Sequence, residues 1–202
     1  HRPRIIVYGD STAGEKAWAL RMAGFDVGNL SGSGCLLKPT PADARYAACD
    51  VMLARALQKI RDYQIDGVVL AHGWLGAVPA AEQAAIVSYW KQAEVPVILF
   101  SGGPVFPNLR DRVTRSILRG RPLDTIGIDE EAYEAHMKSL TVFRDAGWSI
   151  IDTRQLLCGS LPCIAFEGTT PLVSDHIHLL EHGARRIAAA VPHDPTWLSW
   201  VE

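Results

Sequence analysis

The run Ile5-Ile6-Val7-Tyr8-Gly9-Asp10-Ser11-Thr12 has an apolar half and a turn-forming half. The apolar half, with no polar alternation, reads as a parallel strand buried on both faces. A helical pattern follows over residues 14–23, with Trp18, Leu20 and Met22 as its apolar residues. A serine where a strand turns into a helix is well placed to be a nucleophile, because the helix N-terminal N–H groups stabilise developing negative charge. Three such residues after a strand are by themselves only a turn. The weight comes from the other end of the chain, Ser174-Asp175-His176-Ile177-His178. Asp175 and His178 are three apart, so in a turn or a first helical turn both side chains project the same way. The carboxylate then holds one imidazole nitrogen and leaves the other to take a proton from Ser11. That is the logic of a serine triad, in the order Ser…Asp…His.

Apolar runs recur along the chain and predict further strands over 25–30, 67–72, 95–100 and 148–152. Helical patterns lie between them: within 41–63 (Val51, Leu53, Leu57 and Ile60), over 79–93, over 130–146 and over 178–191. Residues 105–125 read as less regular and carry five arginines. Strands alternating with helices predict a parallel sheet covered on both faces, with right-handed crossovers. The site then belongs at the carboxyl ends of the strands. The loops leaving those ends are 9–12, 31–35, 72–76 and 101–107.

A chain of 202 residues is long enough for one domain with a sizeable core. Hydrophobic content of 48% and charged content of 21% are ordinary for a globular protein, and a formal net charge of −2 offers no basic field for nucleic acid. No apolar run is long enough to span a bilayer. The start at His1-Arg2-Pro3-Arg4, just before a strand, reads as a domain cut from something longer, or as a mature or engineered start. Cys35, Cys49, Cys158 and Cys163 form no CxxC pair, which argues against structural zinc. They allow three pairings. Cys35–Cys49 with Cys158–Cys163 is favoured because each closes a short loop; four reduced, buried thiols are the alternative. Disulfides imply an oxidising compartment such as the periplasm.

Gly9-Asp10-Ser11 and Asp175-x-x-His178 resemble the first and last blocks of the SGNH (GDSL-like) hydrolase superfamily. Further features recur between them. Cys35 follows a glycine, Cys49 opens a helix, and a strand ends in Leu70-Ala71-x-x-Trp74. Then come Pro96-Val97-Ile98-Leu99 with Gly103-Pro104, and Leu156-Leu157-Cys158…Cys163. Together they are similar to the SGNH domain attached to acyltransferase family 3 membrane proteins, which O-acetylate bacterial surface polysaccharides. The resemblance implies a flavodoxin-like three-layer α/β/α sandwich with a central five-stranded parallel sheet. It also implies a domain excised from a larger, membrane-anchored protein at the periplasmic face of a bacterial inner membrane. Ser11 would be the nucleophile, His178 the general acid/base and Asp175 its orienter. The Ser11 N–H and the Gly34 N–H, or less readily that of Gly32, would bind the oxyanion, with Cys35–Cys49 pinning that loop. The superfamily's third block normally brings an asparagine amide in Gly-x-Asn. Here the strand ends in Ala71-His72-Gly73-Trp74, so that donor is missing.

The resemblance points to an O-acyltransferase acting on a polysaccharide or oligosaccharide acceptor through an acyl-serine. No cofactor is expected in this domain, since an acyl donor such as acetyl-CoA would be used by an attached membrane domain. A secreted carbohydrate acetylesterase with the same triad, or a non-catalytic glycan-binding module, are the alternatives. Trp74 and His72 are candidates for substrate contact, weighed against packing and a satisfied strand-end histidine. His176, His178 and His182 lack a third convergent zinc ligand, which leaves His176 and His182 as surface residues. Arg110, Arg112, Arg115, Arg119 and Arg121 suit an anionic glycan, lipid head groups or simply a solvated face. Trp197 and Trp200 are expected to pack the chain end or face a neighbouring domain.

Overall fold

The structure is a computed structural model that describes residues 3–40, 42–74 and 76–201, without the side chains of 199–201. Five strands form its centre: β1 (Arg4–Gly9), β2 (Asp26–Ser31), β3 (Gly67–Ala71), β4 (Val97–Phe100) and β5 (Ser149–Ile151). All pair in parallel, in the order β2-β1-β3-β4-β5. β1, β3 and β4 are buried along nearly their whole length, as their unbroken apolar runs require. Alternate residues feed opposite layers. Ile5, Val7, Val69, Ala71, Ile98 and Phe100 join one core cluster, whereas Ile6, Tyr8, Val68, Leu70 and Leu99 join the other.

Helices cover both faces. α1 (Ser11–Met22), α7 (Thr153–Cys158) and α8 (Glu181–Ala190) supply the first layer, and α2 (Ala47–Asp62), α3 (Ala80–Trp90) and α6 (Thr141–Asp145) the second. The chain leaves β1 toward β2 on one side and returns to β3 on the other. The strand order therefore reverses between β1 and β3, and the crevice above their carboxyl ends is where such sheets bind ligands. Ser11 stands at that point.

Several boundaries differ from the sequence reading. α1 begins at Ser11 and buries Ala13, Ala17 and Leu20, leaving Trp18 40% exposed. Trp18 is two residues from Leu20, which is not a same-face spacing on a helix. For the same reason Val51 points outward from α2 while Leu53, Leu57 and Ile60 are buried. Within the stretch read as less regular lies α4 (Leu109–Leu118). Its arginines are good helix formers, but only Leu109 and Val113 turn inward, too few to advertise a helical period. The helix expected over 130–146 breaks at buried Leu140 into α5 (Glu130–Ser139) and α6. α7, the two-residue hairpin of β6 (Phe166–Glu167) and β7 (Thr170–Pro171), and the terminal α9 (Pro195–Val201) were too short to read from periodicity. Trp197 is buried, edge-on to Phe25, and so packs the chain end. The side chain of Trp200, and Pro41 at the expected start of the second helix, lie outside the described residues.

Candidate active site

Gly9 ends β1 because nothing larger fits. A Cβ there would stand 1.7 Å from the Ala71 carbonyl oxygen, and its φ is +154°. Asp10 then caps α1, accepting from the Thr12 N–H (2.9 Å) and hydroxyl (2.7 Å) through one oxygen. The other oxygen accepts from the Gly73 N–H (2.8 Å), which ties the nucleophile turn to the loop after β3. Ser11 becomes the first residue of the helix. Among the described residues its backbone N–H has no acceptor.

His178 reaches this serine from the far end of the chain. Its Nε2 is 2.8 Å from Ser11 Oγ, and its Nδ1 is 2.7 Å from Asp175 Oδ2. A carboxylate accepts, so Nδ1 carries the proton and Nε2 is free to accept from the hydroxyl. The spacing is set in a turn, since α8 starts only at Glu181, three residues after the sequence placed it. Ser174 donates its N–H to the His178 carbonyl (2.8 Å), and Leu180 donates to Leu172 (2.9 Å), closing a tight loop. Asp175 Oδ1 accepts from the N–H groups of Ile177 and His178, both at 2.9 Å. Partial burial pushes the Asp175 carboxyl up, but those two N–H donors and the imidazole outweigh it and hold it at about 2.

The candidate oxyanion loop follows β2. Gly32, Gly34 and Cys35 form a turn in which the Cys35 N–H donates to the Gly32 carbonyl (3.0 Å). The Gly32 N–H is already used by the Gly9 carbonyl (3.0 Å), which removes Gly32 as an oxyanion donor. Its glycine has a packing reason instead: a Cβ would meet Met52 Cε at 2.5 Å and Cys35 Sγ at 2.8 Å. Gly34, at φ +71°, keeps an N–H with no acceptor among the described residues. Cys35 is bonded to Cys49, and Cys158 to Cys163.

A scan against family models matches residues 1–192 to the SGNH domain that is fused to AT3 domains. The chain belongs to that family. Curated proteins give no match to this SGNH domain. Solved structures share its fold. The periplasmic domain of a lipopolysaccharide acetyltransferase from Salmonella ser. Paratyphi A has a TM-score of 0.75 at 16% identity, over 96% of this chain and 83% of that one. A G-D-S-L family protein from Desulfitobacterium hafniense DCB-2 has a TM-score of 0.57 at 14% identity, over 93% and 97%. A protein described as an acylhydrolase, from Bacteroides fragilis NCTC 9343, has 0.54 at 12%, over 99% and 91%.

The remaining residues named from the sequence of this SGNH domain are divided by the structure. His72 is mostly enclosed, and its Nδ1 has no hydrogen-bond partner among the described residues, with Asp10 Oδ2 at 3.7 Å. Burial pulls its pKa down, against the pull of Asp10 and Glu82, so the ring is kept neutral. Trp74 is half-buried between His72 (5.1 Å) and His136 (5.7 Å), packed on the core beneath. His176 is exposed, whereas His182 pairs with Glu167 at 2.6 Å. An apolar groove of about 1020 Å³ runs past Asp175 and His176, walled by Leu109, Val113, Phe166 and Val173. Two features were missed from the sequence. His136 is buried in α5, bonding the Gly76 carbonyl through Nδ1 (2.9 Å) and the Gly102 N–H through Nε2 (3.0 Å). It thereby clamps the loops after β3 and β4 together. Its spacing to Tyr133 and Leu140, three and four residues away on one helical face, was the available signal. The second feature is the Glu15–Lys16 pair (3.8 Å), with Lys16 fully buried in α1. Burial raises the Glu15 pKa; Lys16 and the Leu179 N–H, one residue from His178, offset part of this. A lysine at a core position of α1, between Ala13 and Leu20, is visible in the sequence once the helix starts at Ser11.

Proposed function

We propose that this SGNH domain is a serine acyltransferase that moves an acyl group, acetyl being the simplest, onto a hydroxyl of a bacterial cell-surface polysaccharide. The observation that carries the reading is the Ser11–His178–Asp175 relay at the N-terminus of α1. His178 Nε2 takes the proton from Ser11 Oγ, which attacks the donor's acyl carbonyl. The Ser11 and Gly34 N–H groups receive the oxyanion. The intermediate collapses to acyl-serine as His178 returns its proton to the leaving group. A sugar hydroxyl, deprotonated by His178, then attacks the ester and releases Ser11. Asp175 stays ionised throughout and holds the imidazole in the required tautomer.

In this reading an attached AT3 domain presents the acyl group, so the SGNH domain needs no cofactor of its own. The reaction takes place at the extracytoplasmic face of the inner membrane. The lipopolysaccharide acetyltransferase domain of the same fold supports that placement, and so does the family's fusion to AT3 domains. With Ala71-His72-Gly73 where an asparagine donor is usual, the oxyanion hole has fewer donors, which suits an enzyme loaded by a partner better than a fast hydrolase.

Intact mass of the purified chain after incubation with a chromogenic acetyl ester tests this. We expect an acetyl adduct or ester turnover that disappears in Ser11→Ala. Added oligosaccharide should collect the acetyl group in preference to water. Turnover to water at the rate of ordinary esterases, unaffected by oligosaccharide, would replace transfer by hydrolysis. Turnover that survives Ser11→Ala would refute the nucleophile.

A further inference from the structure

We propose that the carboxyl end of α4 is a docking surface for anionic lipid head groups. This goes beyond the acyl-transfer reading and does not depend on it. Residues 109–121 hold Arg110, Arg112, Arg115, Arg119 and Arg121 against a single acid, Asp111, in a chain whose formal net charge is −2. None of the five pairs with a carboxylate among the described residues; Arg112 donates to the Gly127 carbonyl (2.6 Å) and Arg115 to the Asp111 carbonyl (3.2 Å). Arg112, Arg115, Arg119 and Arg121 line, with Ser116, a polar hollow of about 270 Å³. The same helix end carries Ile117 and Leu118, which are 65% and 80% exposed.

The two halves of this patch have one solvent in common. Cations at a helix C-terminus interact favourably with its dipole, but that does not explain two large apolar residues in water. A soluble polyanion would reward the arginines and leave Ile117 and Leu118 wet. An anionic bilayer surface rewards both: its phosphates attract the clustered positive charges, and the apolar tip enters the boundary between head groups and acyl chains. Described helices include none long and apolar enough to cross a membrane, so α4 would lie at the surface. Its amino end borders the groove beside Asp175. Ten residues of helix place the docking tip about 15 Å from there, which would hold the Ser11 site within reach of membrane-borne substrates.

Co-sedimentation of the purified chain with vesicles tests the proposal. We expect binding to phosphatidylcholine vesicles containing phosphatidylglycerol, weakened by added salt, and none to phosphatidylcholine alone. The triple variant R115Q/R119Q/R121Q should bind about a hundredfold more weakly. R115K/R119K/R121K should stay within a few-fold of the parent. Arg112 is left in place because it supports Gly127. I117S/L118S should lose about tenfold on vesicles while keeping its retention on dextran sulfate, a soluble polyanion. Ser11→Ala should bind like the parent, so failure here is separable from failure of the catalytic reading. Equal binding to both vesicle types overturns the proposal. So does full vesicle binding by I117S/L118S, which would assign the patch to a soluble polyanion such as an anionic glycan. Should the glutamine triple misfold by circular dichroism, the I117S/L118S pair decides alone.

Discussion

Three side chains from opposite ends of the chain meet within hydrogen-bond distance, although 167 residues separate Ser11 from His178. Among the described residues Ser11 alone places a hydroxyl on the imidazole, so its removal should be felt fully: Ser11→Ala is expected to lower ester turnover about ten-thousandfold or more, measured with a chromogenic acetyl ester. Asp175→Asn tests orientation separately from nucleophilicity. An amide cannot demand a donor from Nδ1, so the imidazole turns to the wrong tautomer. Turnover should fall about ten-thousandfold, far beyond what the few degrees of melting temperature lost with the carboxylate explain. A loss of less than tenfold would remove Asp175 from the relay. Gly9→Ala is a steric test. With Ala71 backbone 1.7 Å from the new atom, β1 and β3 must part, and a loss of about 3 kcal/mol or more is expected in urea unfolding. The three relay residues were legible because Gly-Asp-Ser after a strand and Asp-x-x-His before a helix each have a local geometry. The division between Gly32 and Gly34 was not, because it depends on which N–H the Gly9 carbonyl takes.

The turn after β2 shows how an element is held where its own sequence gives no rigidity. It is anchored by Cys35–Cys49, by the Tyr8 hydroxyl on the Leu36 carbonyl (3.1 Å) and by the Trp90 indole N–H on the Leu37 carbonyl (2.8 Å). The disulfide closes a separation of 14 residues, for which loop-closure entropy predicts about 3 kcal/mol. Cys35→Ser/Cys49→Ser should therefore melt about 6–12 °C lower in a chain of this size. It should also lose turnover beyond what its folded fraction explains, because Gly34 is no longer fixed. Unchanged turnover per folded molecule would separate this turn from the oxyanion. The Cys158–Cys163 pair closes only 5 residues and should cost less.

Across the whole molecule, two enclosed histidines lie among the loops above the sheet, and one of them, His136, joins those loops. His136 is held neutral chiefly by burial, and its Nε2 has to accept from Gly102. His72 is held neutral by burial as well. Both have folded pKa values below the unfolded value of about 6.5. Their contribution is complete above that pH and is lost as pH falls through the folded values. The melting temperature should thus decline from pH 7 to pH 5. His136→Gln should melt lower at pH 7.5 and decline less steeply. An equal slope in both proteins would exclude His136 as a source. Asp175, at about 2 when folded, adds nothing to that window; its contribution is present above about pH 4 and is lost below it.

The sequence by itself determined the layered α/β class and the parallel strands, and it named Ser11, Asp175 and His178, which meet in the structure. Burial on both faces of a strand leaves an unbroken apolar run, and a nucleophile turn and an acid–base pair are each local. Where elements meet was decided only in three dimensions. Nothing local says that Gly102 and Gly76 share one histidine, or that the Gly9 carbonyl takes the Gly32 N–H. Such contacts join residues far apart in the chain, and periodicity reports that a side chain is buried, not what it is buried against.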